Sequence, residues 1–177
     1  LDCDIVVTRD VSEIFAVDLG SYPLGAVRDL VGEVYFGEQI FNSGVLLINV
    51  NYWRENDIAG QLIEMTDNLH DKVTQDDQSI LNMLFENRWM ELPFAYNCIT
   101  LHTTFSDYEP EKCLYPPVIH YLTERKSLKE YTQSIYREVW WFYQGLDWSD
   151  MQEPVGALTQ KMVEGEEGSS LSCLVYT

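Results

Sequence analysis

An α/β fold is what this sequence predicts, and three observations carry that prediction. Strand-like and helix-like segments alternate along the chain. Residues 41–49, Phe-Asn-Ser-Gly-Val-Leu-Leu-Ile-Asn, are apolar enough to require a sheet interior, and residues 51–69 and 77–85 space their apolar side chains as helices do. Size permits such a fold, because 177 residues with 46% hydrophobic and 13% aromatic composition can bury a substantial core.

Taken in order, residues 2–7 read as a strand and residues 11–15 as a short helical turn with Ser12 near its start. Residues 26–29, Ala-Val-Arg-Asp, read as a short strand ending in an acid, and 41–49 as the interior strand. From 51 to 69, Trp53, Ile58, Leu62, Ile63, Met65 and Leu69 approximate one helical face. Residues 77–85 give a second amphipathic helix, and 89–92 a short strand closed by Pro93. After the Pro116-Pro117 break, 118–121 is a further short strand, and 129–144 an aromatic-rich helix. No internal repeat is present.

A formal charge of −18 repels nucleic-acid backbones and anionic lipid surfaces, so any anionic ligand must meet a local cation. Cys3, Cys98, Cys113 and Cys173 are scattered without a paired motif, as expected of reduced thiols in a cytoplasmic protein. No run approaches the ~20 apolar residues of a membrane span. Leu1 is not an initiator Met, and the opening residues read as the middle of a strand, so upstream residues of the same domain are expected to be missing. At the other end, 164–170 is acidic and small like a linker, and 171–177 returns to strand-like composition. The expected organisation is therefore one domain over 1–150 and a linker with the start of a further segment over 151–177.

Candidate chemistry begins at Asp2-Cys3-Asp4. On a strand, positions i and i+2 share a face, so both carboxylates would bind one cation; two solvated acids are the plainer alternative. An EF-hand is excluded, since Val6 and Val7 stand where a ligand and a Gly are needed. The pair needs a distant third ligand, and His120 is the candidate, with a core histidine as the alternative. Lys126, six residues on, would reach a metal-bridged diphosphate unless it is an ordinary surface Lys. Asn42 stands before Ser43-Gly44, where backbone can approach a ligand closely. Asp77-Gln78 opens a helix that Thr74 or Asp76 would cap. Such amides and carboxylates suit sugar hydroxyls, which both donate and accept. The aromatics Tyr131, Tyr136, Trp140, Trp141, Phe142 and Tyr143 fit core packing better than a sugar platform, because their spacing is helical.

In sum, Leu1-Asp-Cys-Asp-Ile-Val-Val, Asp18-Leu-Gly, Ala26-Val-Arg-Asp, Phe41-Asn-Ser-Gly-Val-Leu-Leu-Ile-Asn with Trp53-Arg54, Asp77-Gln-Ser-Ile-Leu-Asn, Leu92-Pro and Ile119-His-Tyr resemble, in order, the family 8 glycosyltransferases. These are retaining, metal-dependent enzymes of GT-A fold, bacterial lipopolysaccharide galactosyl- and glucosyltransferases and glycogenin among them. The resemblance covers about residues 1–130. It implies a mixed sheet flanked by helices, with the N-terminal nucleotide-binding half absent. Asp2, Asp4 and His120 become Mn2+ (or Mg2+) ligands, Lys126 a diphosphate contact, and Asp29, Asn42, Asp77 and Gln78 the lining of the donor sugar. Gln78 falls near the reacting anomeric carbon, with Asp77 beside it as a catalytic candidate. Two departures stand out: Thr123 replaces a Gly of the family's histidine loop, and Ser127-Leu128 replaces its Pro-Trp. Residues 137–150 look like the C-terminal extension of streptococcal-type enzymes that glycosylate surface adhesins.

The implied activity is transfer of glucose or galactose from a UDP-sugar to a hydroxyl of a glycan or glycoprotein. The expected location is cytoplasmic, with or without attachment at the inner membrane face, and no nucleic acid is involved. Oligomeric state is open. A non-catalytic, transferase-like binding or scaffold module is the alternative, and a Mg2+-dependent phosphohydrolase is disfavoured because its dense metal cluster is lacking.

Overall fold

The computed structural model describes residues 1–69, 76–100, 116–121, 136–147 and 149. Expectations for Lys126, Thr74, Cys113, Cys173, Tyr131 and the 151–177 tail fall outside these residues. The chain divides into two compact units, one of Leu1–Cys3 with Ser12–Phe94, the other of Asp4–Val11 with Ala95–Thr177.

The first unit is a three-stranded sheet backed by helices. Its strands are β2 (Leu24–Arg28), β3 (Phe41–Ile48) and β4 (Met90–Glu91), in the order β3-β2-β4, with β2 antiparallel to β3 and parallel to β4. Helices α1 (Leu30–Phe36), α2 (Val50–Glu55), α3 (Ile58–Leu69) and α4 (Asp76–Leu84) complete it. The core joins Leu24, Ala26 and Phe41 from the sheet to Ile58, Leu81 and Phe85, with Trp53 and Trp89 packed against them. Phe41 and Trp89 meet edge to face with centroids 5.4 Å apart.

Three features of this unit differ from the sequence reading. The acid ending the 26–29 segment does not end a strand but starts a helix: Asp29 is the N-cap of α1, its carboxylate accepting from the Gly32 amide at 2.9 Å, and Gly37 closes the helix with φ of 74°. With a Gly, two valines and two aromatics among seven residues, α1 has little intrinsic propensity and depends on those caps. The 51–69 helix is two helices, broken where Asp57 takes a φ of 47°. The β2–β3 register jumps from Ala26 opposite Leu46 to Val27 opposite Asn42, so Ser43, Gly44 and Val45 form an enlarged bulge. That bulge turns the Gly44 carbonyl out of the ladder, and it accepts the Asp2 amide at 2.9 Å.

The second unit holds β1 (Ile5–Val7), β5 (Cys98–Ile99) and β6 (Val118–His120), ordered β1-β6-β5, with β6 antiparallel to β1 and parallel to β5. The expected strand over 2–7 is confined to its last three residues; Cys3 and Asp4 are in a turn. The shared-face argument for Asp2 and Asp4 therefore fails, and whatever joins them is turn geometry. Strand β5 escaped the sequence reading because two residues carry no periodicity. Of the expected helix 129–144, the described part is α5 (Arg137–Gln144). Of the aromatics expected to pack as core, Tyr136, just before the helix, is buried and Trp140 lies edge to face on Tyr121 at 5.1 Å, while Trp141, Phe142 and Tyr143 are half-buried. Among the described residues no helix is long and apolar enough to cross a membrane.

Candidate active site

Two polar clusters, one in each unit, collect the sequence candidates. In the first unit, Asp29, Asn42 and Gln78 are 3%, 4% and 8% exposed, and burial of such groups demands partners. They find them in one another. Gln78 Nε2 donates to Asp29 Oδ2 at 2.9 Å, while Gln78 Oε1 accepts from Asn42 Nδ2 and from the Ser43 amide, both at 3.0 Å. Because a carboxylate only accepts, the Asp29 bond fixes which way the Gln78 amide points. Asn42 Oδ1 in turn accepts from the Gly44 amide at 3.0 Å.

Local structure explains the cluster. The α1 cap holds Asp29, the bulge after Asn42 releases the Ser43 and Gly44 amides from the ladder, and the first turn of α4 presents Gln78. Asn82, one turn further along α4, bonds both backbone groups of Phe41, at 2.9 Å from its amide and 2.8 Å to its carbonyl, pinning α4 to β3. Asn82 was read as part of a motif without a role. Its spacing of four from Gln78 was the available signal. Asp77, by contrast, is exposed and stands apart from the buried trio.

In the second unit His120 is fully buried, its Nδ1 2.9 Å from Asn97 Oδ1 and its Nε2 3.2 Å from Asp4 Oδ1. Asn97 as acceptor places the ring proton on Nδ1, so the Nε2 lone pair faces a carboxylate oxygen. Two acceptors so close require a shared positive charge, either a proton on Nε2 or a cation ligated by both. The cation fits: adjacent ligands around an octahedral ion with bonds of ~2.1–2.3 Å lie ~3.0–3.3 Å apart. Backbone bonds stiffen the arrangement, the Tyr121 amide donating to Asp4 O at 3.0 Å and the Thr100 amide to His120 O at 3.1 Å. Asn97, fully buried, was missed in the sequence; its signal was a lone amide directly before the apolar pair Cys98-Ile99.

Asp2 belongs to the first unit, but two peptide links keep its Cα within ~7 Å of that of Asp4. Tyr121, beside His120, is buried and donates to Tyr136 O at 2.7 Å; burial pushes its phenol far above the ordinary value.

The sequence profile of Glycosyl transferase family 8 matches residues 1–127. The chain is 92% identical over its full length to a probable glycosyl transferase, Gly, of Streptococcus gordonii, covering 26% of that protein. It is 53% identical over 85% of its length to the glycosyltransferase GlyA of Streptococcus pneumoniae, covering 22% of it. The crystal structure of the glycosyltransferase GlyE of Streptococcus pneumoniae superposes with a TM-score of 0.71 at 34% identity, over 93% of this chain and 42% of GlyE. An active-site mutant of LgtC gives a TM-score of 0.67 at 26% identity, over 82% of this chain and 59% of LgtC. The chain thus spans about a quarter of the length of the two streptococcal relatives. With the family's profile matched across most of its residues, and with a GT-A-type mixed architecture shared with GlyE and LgtC, this chain belongs to glycosyltransferase family 8.

Proposed function

We propose that the chain is the metal- and donor-sugar-binding part, residues 1–150, of a cytoplasmic retaining transferase, with 151–177 leading into a further segment. In this reading the enzyme moves glucose or galactose from a UDP-sugar to a hydroxyl of a glycan or a glycoprotein such as a surface adhesin. The observation that carries the reading is the facing of His120 Nε2 and Asp4 Oδ1 at 3.2 Å, with the ring tautomer held by Asn97.

Asp4 and His120, joined by Asp2 two residues away, would hold Mn2+ or Mg2+. When bound, the ion neutralises charge developing on the diphosphate leaving group. Lys126 would add a second positive charge there. Asp29, Asn42, Asp77 and Gln78 would line the donor hexose, with Gln78 nearest the anomeric carbon. The hydrogen bonds at Gln78 bear on how retention is achieved. Gln78 Oε1 already accepts from two donors, and an oxygen so engaged is a poor nucleophile. That favours front-face attack, with Gln78 as a fixed wall that orients the sugar.

The test is divalent-ion-dependent release of UDP from a panel of UDP-sugars, by the chain and by its upstream-extended parent, each beside Asp4→Asn. Release by the parent that disappears in the variant supports the reading and names the donor. A well-folded parent that is silent with every donor overturns it in favour of the scaffold module.

A further inference from the structure

Two adjoining hollows in the first unit play no part in the chemistry above. One, of about 270 Å3, lies between the end of α1 and α4 and includes Phe36, Ser79, Asn82 and Met83; the other, of about 410 Å3, includes Tyr22, Met90 and Glu91. They share Gln39, Asn87 and Trp89, so the two hollows border one another at the indole, a groove in two parts. Each volume is near the lower range of small-ligand sites.

The chemistry of the lining is specific. An aromatic ring stands at each station: Phe36, 45% exposed, in the first hollow; Trp89 between them; and Tyr22, 41% exposed, in the second. Trp89 is held rigid by its edge-to-face contact with Phe41. The lining also carries the side-chain amides of Gln39 and Asn87 and the carboxylates of Glu38, Glu86 and Glu91, with Gln39 Nε2 donating to Glu91 Oε2 at 3.4 Å, while among the described residues no Lys or Arg lines either hollow. Ring faces attract the slightly positive C–H edges of a pyranose, and amides with carboxylates meet hydroxyls that both donate and accept. Carboxylates without a cation turn away nucleotides, phosphates and acidic sugars. The groove also adjoins the buried trio: Asn82 follows Gln78 by one turn of α4, about 6 Å along the axis, and its Nδ2 donates to the Gln78 carbonyl.

We propose that this groove binds a neutral oligosaccharide, the non-reacting length of the acceptor glycan, with Trp89 as its central platform. As an acceptor site the inference rests on the transferase reading and deepens it; as a glycan site it stands alone.

The experiment titrates the 177-residue chain with neutral tetra- to hexasaccharides of glucose, galactose and N-acetylglucosamine, followed by tryptophan fluorescence and saturation-transfer NMR. Trp89→Ala threatens the core, so Tyr22→Ala and Asn87→Gly are the working variants. Asn87 has a φ of 55°, a conformation Gly adopts freely, so that change strips the amide without straining the backbone. Quenching of Trp89 by at least one oligosaccharide, with affinity about tenfold weaker in Tyr22→Ala, supports the proposal. Absence of binding by all of them overturns it, as does binding that both variants leave unchanged. Concentration-dependent self-association abolished by Phe36→Ser, without oligosaccharide binding, assigns the groove to a second copy instead and also overturns it. Acceptor-free UDP release by the wild-type parent reports the transferase reading separately: release without oligosaccharide binding sinks only the groove, and binding without release sinks only the transferase.

Discussion

The two polar clusters are built on opposite principles. Asp29, Gln78 and Asn42 satisfy one another through directional bonds, donor to acceptor at every link, so the trio is complete with no ligand present. Asp4 and His120 bring a carboxylate oxygen and an imidazole nitrogen face to face, an arrangement that a shared proton or a cation completes. A closed network is a positioning surface, stiff before the substrate arrives. A carboxylate facing an imidazole has the chemistry of a ligand set, the role proposed for it above. The difference separates residues that shape from residues that bind, and mutations should divide along the same line.

The largest effect is expected at Asp4. Asp4→Asn removes the carboxylate charge that faces His120, and on the proposed reading Mn2+ affinity, read by electron paramagnetic resonance, should fall by at least ~100-fold. Added Mn2+ should raise the melting temperature of the wild type, as a ligand at ~100 times its dissociation constant contributes ~2.7 kcal/mol, and leave the variant unmoved. Equal affinity in both would remove the metal reading. The next effect is expected at Asn97, which acts through the histidine. Asn97→Leu leaves the buried Nδ1–H without its acceptor, at a cost of ~1–3 kcal/mol in stability and ~10–100-fold in metal affinity. Asn97→Asp, which keeps an acceptor, should recover much of the affinity; failure of that rescue would show that Asn97 matters only for packing.

Mutations in the closed network should instead damage stability and turnover without touching metal affinity. Gln78→Ala removes one bond each from the Asp29 carboxylate, the Asn42 amide and the Ser43 amide, and should cost ~1–3 kcal/mol by chemical denaturation. Gly32→Ala tests the same network from behind. A Cβ there would displace the terminal methyl of Ile40 and crowd the Asp29 carboxyl, and with the helix propensity of Ala offsetting part of that cost the expected loss is at most ~1 kcal/mol. A loss of metal affinity in either variant would show that the clusters are not independent.

What the sequence disclosed follows from the same physics. Strand β3 and helix α4 were legible because eight or nine residues of apolar pattern suffice to state a period. The identities of Asp29, Asn42, Gln78, Asp4 and His120 were legible from motif order. Their partnering was not. That Asp29 caps a helix depends on α1, whose composition hides it, and that Asn42 reaches Gln78 depends on a three-residue bulge that periodicity cannot express. Asp2-Cys3-Asp4 suggested a shared strand face, yet Cys3 and Asp4 are in a turn, because the ladder with β6 starts only at Ile5. Lys126 lies outside the described residues, so its place rests on the motif alone.

The smallest effect is expected at Tyr121, the buried tyrosine that follows His120. Burial is the main cause that raises the Tyr121 phenol above its ordinary value of 10.0, with nearby Cys98 adding to it and a backbone hydrogen bond opposing it. A folded value above the unfolded one means that the contribution to stability is fully present below pH 10 and is lost as pH climbs from there toward the folded value. Over that window the unfolded chain gives up the proton and the folded chain keeps it, so unfolding free energy should drop by up to ~1.4 kcal/mol per pH unit from this group. Tyr143, also raised by burial, adds in the same direction. Tyr121→Phe forfeits the bond to Tyr136 O, about 1 kcal/mol at neutral pH, and should flatten the alkaline slope measured by denaturation between about pH 9 and 11. An unchanged slope would mean that water reaches this ring.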